Sequence, residues 1–139
     1  MNNPSLTLVS ESFIKPYPPI EEYSKQICYL APWDITMLSS HYNQKGLLFK
    51  KPTSSSLNQQ HFIENLVHKL KHSLSLTLFH FYPLSGRLVI KKIEDPPSYS
   101  VYVDCKNSLG AKFIHATLDI TINDILSPVY VPNIVHSLC

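Results

Sequence analysis

The sequence predicts a mixed α/β domain of α+β character, in which a mixed sheet is backed by one long amphipathic helix. Three observations carry this. Phe62, Ile63, Leu66, Val67, Leu70 and Leu74 recur at the spacing that lines one helical face, opposite His61, Glu64, His68, Lys69 and His72. Three runs rich in β-branched and aromatic residues follow, over 88–92, 99–105 and 112–118, separated by short turns. Between helix and strands stands Phe81-Tyr82-Pro83-Leu84-Ser85-Gly86-Arg87-Leu88. There Pro83 lacks an amide donor and pushes Tyr82 out of the helical region, while Gly86 tolerates a positive φ.

In chain order, residues 6–14 alternate as an edge or entry strand does, and Pro16, Pro18 and Pro19 forbid its continuation. Residues 27–30 form a short strand stopped by Pro32, which opens a helical turn over 32–38 with Ile35 and Leu38 inward. Asp34 lies in its first turn, where the helix dipole favours a carboxylate. Residues 46–52, bounded by Gly46 and Pro52, read as a strand. Ser56 and Gln59 have capping-box spacing, so the long helix starts at Leu57. Leu74, Leu76 and Leu78 fit either period; continued helical spacing from Leu70 extends the helix to Phe79, about 23 residues and ~35 Å. The three later strands form a meander or hairpin pair through turns at 95–97 and 107–110. Thr121 and Asp124 cap a short helix that Pro128 ends.

Composition narrows the class. At 139 residues the chain is one domain or a piece of a larger one, and 44% hydrophobic with 16% charged residues opposes disorder. A net charge of +2 with no basic block leaves no electrostatic footprint for nucleic acid. Cys28, Cys105 and Cys139 are odd in number and far apart, which suits a reducing compartment better than a disulfide framework or a zinc site. No leader-like N-terminus and no apolar run of the ~20 residues a membrane span needs is present. The apolar finish, with Val131, Ile134, Val135 and Leu138, suggests a chain cut from something longer.

Candidate chemistry is sparse. The three glycines, Gly46, Gly86 and Gly110, are too scattered for a phosphate-cradling loop. His68 and His72 stack on a helix beside His61 and Glu64, but they oppose the apolar stripe as solvated residues do, so no metal site is assigned. His115 with Asp119 has a spacing used in acyl transfer, where imidazole takes a proton from an alcohol or amine. It is a decoy on context: His115 falls within a strand, and Ile120, not glycine, follows Asp119. Ser85 lacks a nucleophile elbow, and Arg87 is expected to anchor the turn through hydrogen bonds to carbonyls or a carboxylate.

Leu30-Ala31-Pro32-Trp33-Asp34, Gly46-Leu47-Leu48-Phe49 and the Tyr82-Pro83-Leu84-Ser85-Gly86-Arg87-Leu88 run together resemble the opening of the plant BAHD acyltransferases. Asp95-Pro96-Pro97-Ser98-Tyr99-Ser100-Val101-Tyr102-Val103-Asp104 is similar to its acetyltransferase-like members. The resemblance runs from about residue 6 to 136, about the first third of a complete member. It implies the N-terminal part of a chloramphenicol-acetyltransferase-like domain, so that residues 1–139 form an incomplete acyltransferase domain without its C-terminal partner. It also implies a monomeric cytoplasmic enzyme of plant specialised metabolism, with acyl-CoA as co-substrate, no bound cofactor and a small-molecule alcohol or amine as acceptor. Trp33, Asp34, Tyr82, Pro83, Gly86 and Arg87 are its structural markers, and His41, Tyr42, Gly46 and Leu48 match the edge of its acceptor pocket.

The family's catalytic His-x-x-x-Asp-Gly, whose histidine is the general base, lies beyond this chain's end, and His115 and Asp119 fall where the family has an ordinary strand. A later Asp-Phe-Gly-Trp-Gly motif is also absent. The expectation is therefore an acyltransferase fragment inactive by itself and folding marginally. The alternative is a non-catalytic, truncated binding or interaction protein.

Overall fold

The computed structural model describes residues 6–19, 26–40, 44–50, 52, 59–130 and 135. The elements in order are β1 (Leu6–Ile14), β2 (Ile27–Tyr29), α1 (Pro32–Met37), α2 (Gln59–His80), a 3-10 turn (Tyr82–Ser85), β3 (Arg87–Ile93), β4 (Ser98–Asp104), β5 (Ala111–Leu118) and α3 (Ile122–Leu126). The mixed α+β class is observed. Its described strands divide into two antiparallel sheets, ordered β1-β5 and β2-β4-β3.

The 22 residues of α2 match the expected long helix, which reaches His80 rather than Phe79. The proposed cap at Ser56 and start at Leu57 lie outside the described residues. The helix docks on the β1-β5 sheet through polar as well as apolar contacts. Lys71 Nζ donates to Ser12 Oγ at 2.6 Å and sits 5.4 Å from the Phe113 ring centroid. Ser75 Oγ donates to the Lys15 carbonyl at 2.7 Å, and Tyr17 N–H to the Ser75 carbonyl at 3.0 Å. Only Leu78 is a buried apolar side chain among the described residues, whereas Ile63, Leu66 and Leu70 stay exposed. The apolar stripe is thus covered along one side only.

Three local expectations are corrected. Residues 44–50 are irregular rather than a strand, and none of the described strands pairs with them; an unpaired ladder has nothing to hold it extended. Ile35 and Leu38 are exposed rather than inward, since a helix of six residues presents too little surface to bury a face of its own. The three late strands do not form one meander: β3 and β4 make a hairpin, but β5 leaves it and pairs with β1 from Leu6↔Leu118 to Ile14↔Ala111. The short α3 forms as expected, with Thr121 N–H donating to Asp124 Oδ2 at 2.7 Å and Asp124 N–H to Thr121 Oγ1 at 3.2 Å. The bond from the Thr121 side chain, then that from its backbone, holds the Asp124 carboxyl below its ordinary pKa. No helix among the described residues is long and apolar enough to cross a membrane.

Candidate functional site

The segment after α2 is built as a clamp. The helical run breaks at Phe81 (φ −114°, ψ 47°), and Tyr82, expected outside the helical region, instead joins the 3-10 turn with Pro83. Proline fits there because the first donors of such a turn have no partner in any case. Ser85, 2% exposed, donates its hydroxyl to the Tyr82 carbonyl at 2.7 Å, and its own carbonyl accepts from Ser108 Oγ.

Gly86 corrects a second expectation, since its φ of −78° is open to any residue. What it needs is space: a Cβ there would collide with the Val103 side chain and press on Cys105. Positive φ belongs to Gly110, at +107°.

Arg87 anchors this turn as its chemistry suggested, through two carbonyls. Nη1 donates to the Gly86 carbonyl and Nη2 to the Gly110 carbonyl, each at 2.9 Å, with the guanidinium 6.0 Å from the Phe13 ring centroid. One side chain therefore ties the start of β3 to the approach to β5 and to β1. Arg87→Ala removes two charge-assisted bonds and is expected to lower stability by about 2 kcal/mol in a urea melt. Arg87→Lys, which keeps charge but not the planar fork, should recover less than half of that.

The other marker pair lies at the start of α1. Asp34 Oδ2 accepts from Ala31 N–H at 2.9 Å, closing the first turn of α1, and Trp33 beside it is 77% exposed. Of the residues expected at a pocket edge, His41 and Tyr42 lie outside the described residues. Gly46 and Leu48 are in the irregular run, with open space around Gly46 and Leu48 half-exposed.

Two clefts hold the chemically interesting side chains. The first, about 210 Å³, is lined beside the clamp by Lys15, Ser85, Cys105, Lys106 and Gly110, among others. Burial, then the neighbouring Cys28 and Asp104, push the Cys105 thiol up, and the Ser85 hydroxyl is engaged with Tyr82. Neither is an activated nucleophile. Nearby Asp104 is held below its usual range by hydrogen bonds from the Asn107 side chain and backbone, so its carboxylate is committed to its own turn.

The second cleft, about 380 Å³, lies between α2 and the β1-β5 sheet and is lined by Ser10, Glu64, His68, Lys71 and His115 among others. His115 sits in β5 opposite Ser10, while Asp119 is exposed just beyond the strand end. Residues four apart in an extended run are separated by ~13 Å, too far for an aspartate to hold an imidazole. His68, read as a solvated helix residue, shares this cleft with His115. No spacing signal joins positions 68 and 115; strand pairing and helix docking bring them together. Among the described residues no group of three or more His, Cys, Asp or Glu side chains could hold a metal ion.

The sequence that builds this scaffold matches a known family. The model described as the Transferase family matches residues 5–136. The chain belongs to this family, the plant BAHD acyltransferases. Its relatives include an uncharacterized acetyltransferase of Arabidopsis thaliana, 36% identical over 124 residues covering 88% of this chain and 26% of that protein. The BAHD acyltransferase DCR of Arabidopsis thaliana is 32% identical over 124 residues, 86% of this chain and 24% of the relative. The malonyl-coenzyme A:anthocyanin 3-O-glucoside-6''-O-malonyltransferase of Dahlia pinnata is 34% identical over 89 residues, 64% of this chain and 18% of the relative. The chain spans about a quarter of the length of the first BAHD relatives it matches.

Proposed function

We propose that this chain is the N-terminal scaffold of a coenzyme-A-dependent acyltransferase acting on a small-molecule alcohol or amine. The family match over residues 5–136 carries the reading, supported by relatives whose names give malonyl- or coumaroyl-coenzyme A as donor. In such a transfer the acceptor oxygen or nitrogen attacks the thioester carbonyl and the C–S bond breaks. A histidine general base takes the acceptor proton and returns it to the leaving thiolate. This proposal assigns that base to a His-x-x-x-Asp-Gly outside residues 1–139, because Ile120 follows Asp119 here and His115 is held within a strand.

Residues 1–139 then form an incomplete domain: α2 and the Arg87 clamp set the scaffold, and His41, Tyr42, Gly46 and Leu48 edge the acceptor pocket. Acyl-CoA is a co-substrate rather than a resident cofactor, and the complete enzyme works as a cytoplasmic monomer. The free thiols of Cys28 and Cys105 suit that reducing compartment.

The test is acyl transfer by this chain from acetyl-, malonyl- and coumaroyl-coenzyme A to a panel of alcohols and amines, read as released thiol. No turnover above the uncatalysed rate is expected, and His115→Ala should change nothing. Turnover should emerge when sequence carrying His-x-x-x-Asp-Gly is joined to the chain. Turnover by the chain alone that His115→Ala abolishes would falsify the assignment of the base. Acyl-coenzyme A binding with no turnover even after extension would favour the non-catalytic binding protein.

A further inference from the structure

A break in strand register shapes the cleft between α2 and the β1-β5 sheet. Pairing runs Leu8↔Ala116 and then Ser10↔His115, so β1 advances two residues while β5 advances one, and Val9 is left unpaired in the ladder. This is a β-bulge, a device by which a strand re-aims side chains beside a site. Consecutive side chains of a regular strand point to opposite faces, yet Val9 and Ser10 both line the cleft. The α2 side of the lining is Ile63, Glu64, Val67, His68 and Lys71, which fall four apart in two adjacent rows of one helical face.

The lining divides by chemistry. Val9, Ile63 and Val67 form an aliphatic wall, and the Ser10 hydroxyl, the His68 and His115 imidazoles and the Lys71 ammonium supply donors. Lys71 is fixed in advance: Nζ donates to Ser12 Oγ at 2.6 Å and lies 5.4 Å from the Phe113 centroid, with further donors to spare. A cation already held in place binds an anion without the ordering cost of a free lysine. Among the described residues of the lining Glu64 is the one carboxylate and Lys71 the one ammonium, so the two imidazoles decide the sign of the cleft. No titratable residue of β1 lines it, and Glu11 of β1 is paired with Lys112 of β5 at 2.8 Å. The volume, about 380 Å³, is that of a small-molecule site.

We propose that the cleft over the Val9 bulge binds a small carboxylic acid as its anion. Lys71, His68 and His115 hold the carboxylate, Ser10 donates to it, and the apolar body lies against Val9, Ile63 and Val67. The fit is to one negative charge on an apolar body: a phosphate dianion would meet Glu64 and leave the aliphatic wall bare. Neither histidine is asked to move a proton, so the site is one of binding and not of catalysis.

Benzoate is the probe, titrated into this chain while the imidazole ring protons of His68 and His115 are followed by NMR. Saturable shifts of both rings are expected at about pH 6, with affinity about fivefold weaker at about pH 8, since histidine loses its charge over that range. Benzamide, which has the shape without the charge, and inorganic phosphate, which lacks the apolar body, should each bind about tenfold more weakly than benzoate. His115→Gln should weaken benzoate about fivefold and flatten the pH dependence, whereas His72→Gln, on α2 outside the cleft, should do neither. If His115→Gln lowers the urea midpoint, His68→Gln decides, because that side chain is exposed. No saturation by benzoate, benzamide or phosphate bound as tightly, or affinity indifferent to both histidine substitutions overturns the proposal. The titration contains neither coenzyme A nor an acceptor, so its result stands apart from whether the extended chain turns over.

Discussion

Gly110→Ala is expected to lower stability by about 3 kcal/mol or more, enough to abolish a cooperative urea transition in a chain with so small a core. Two costs add. The φ of +107° lies where L side chains are strained, and a Cβ there would run into the carbonyl of Ile14 at the end of β1. Relief requires moving the 108–110 turn, and that turn supplies the Gly110 carbonyl to Arg87. The damage should therefore couple to Arg87→Ala in a double-mutant cycle, the pair costing less than the sum of the singles. Gly46→Ala is the control: with open space around it, the substitution should change the urea midpoint by under ~0.5 kcal/mol. A Gly110→Ala protein as stable as the parent would show that β1 and the turn do not approach so closely.

Leu78→Ala should cost about 3 kcal/mol, read from the same denaturation. Leu78 is 2% exposed in the last turns of α2, and truncation leaves a cavity as well as losing apolar burial. Leu66→Ala and Leu70→Ala, on the same helical stripe, should each cost under ~1 kcal/mol, since their side chains are 42% and 50% exposed. Equal losses at all three positions would mean that the stripe is covered along its whole width and that no partner is needed there.

The family and the scaffold were legible in short-range chemistry. Helical spacing from Phe62 to Leu74, the Pro83 break and the Thr121–Asp124 cap act within a turn or two, so a linear pattern encodes them completely. The same holds for Arg87: a guanidinium beside a glycine turn finds carbonyls, and the two it finds are on either side of a hairpin. The errors fell where local chemistry is silent about neighbours. Gly86 and Gly110 look alike as residues, yet one needs room and the other a positive φ, which depends on what passes close by. Residues 44–50 have the composition of a strand and no partner among the described strands.

By itself, then, the sequence determined the mixed α+β class and the membership of the BAHD acyltransferases, because these rest on residue order alone. Tertiary structure decided which strand β5 joins, which edge of the α2 stripe is buried, that His68 and His115 share a cleft, and which face of the β1-β5 sheet α2 covers. Those outcomes depend on contacts between residues some 50 to 110 positions apart, such as Leu6 with Leu118 and Ser12 with Lys71. No local period records such pairings, which form only when the burial of two distant segments outweighs the entropy of closing the loop between them.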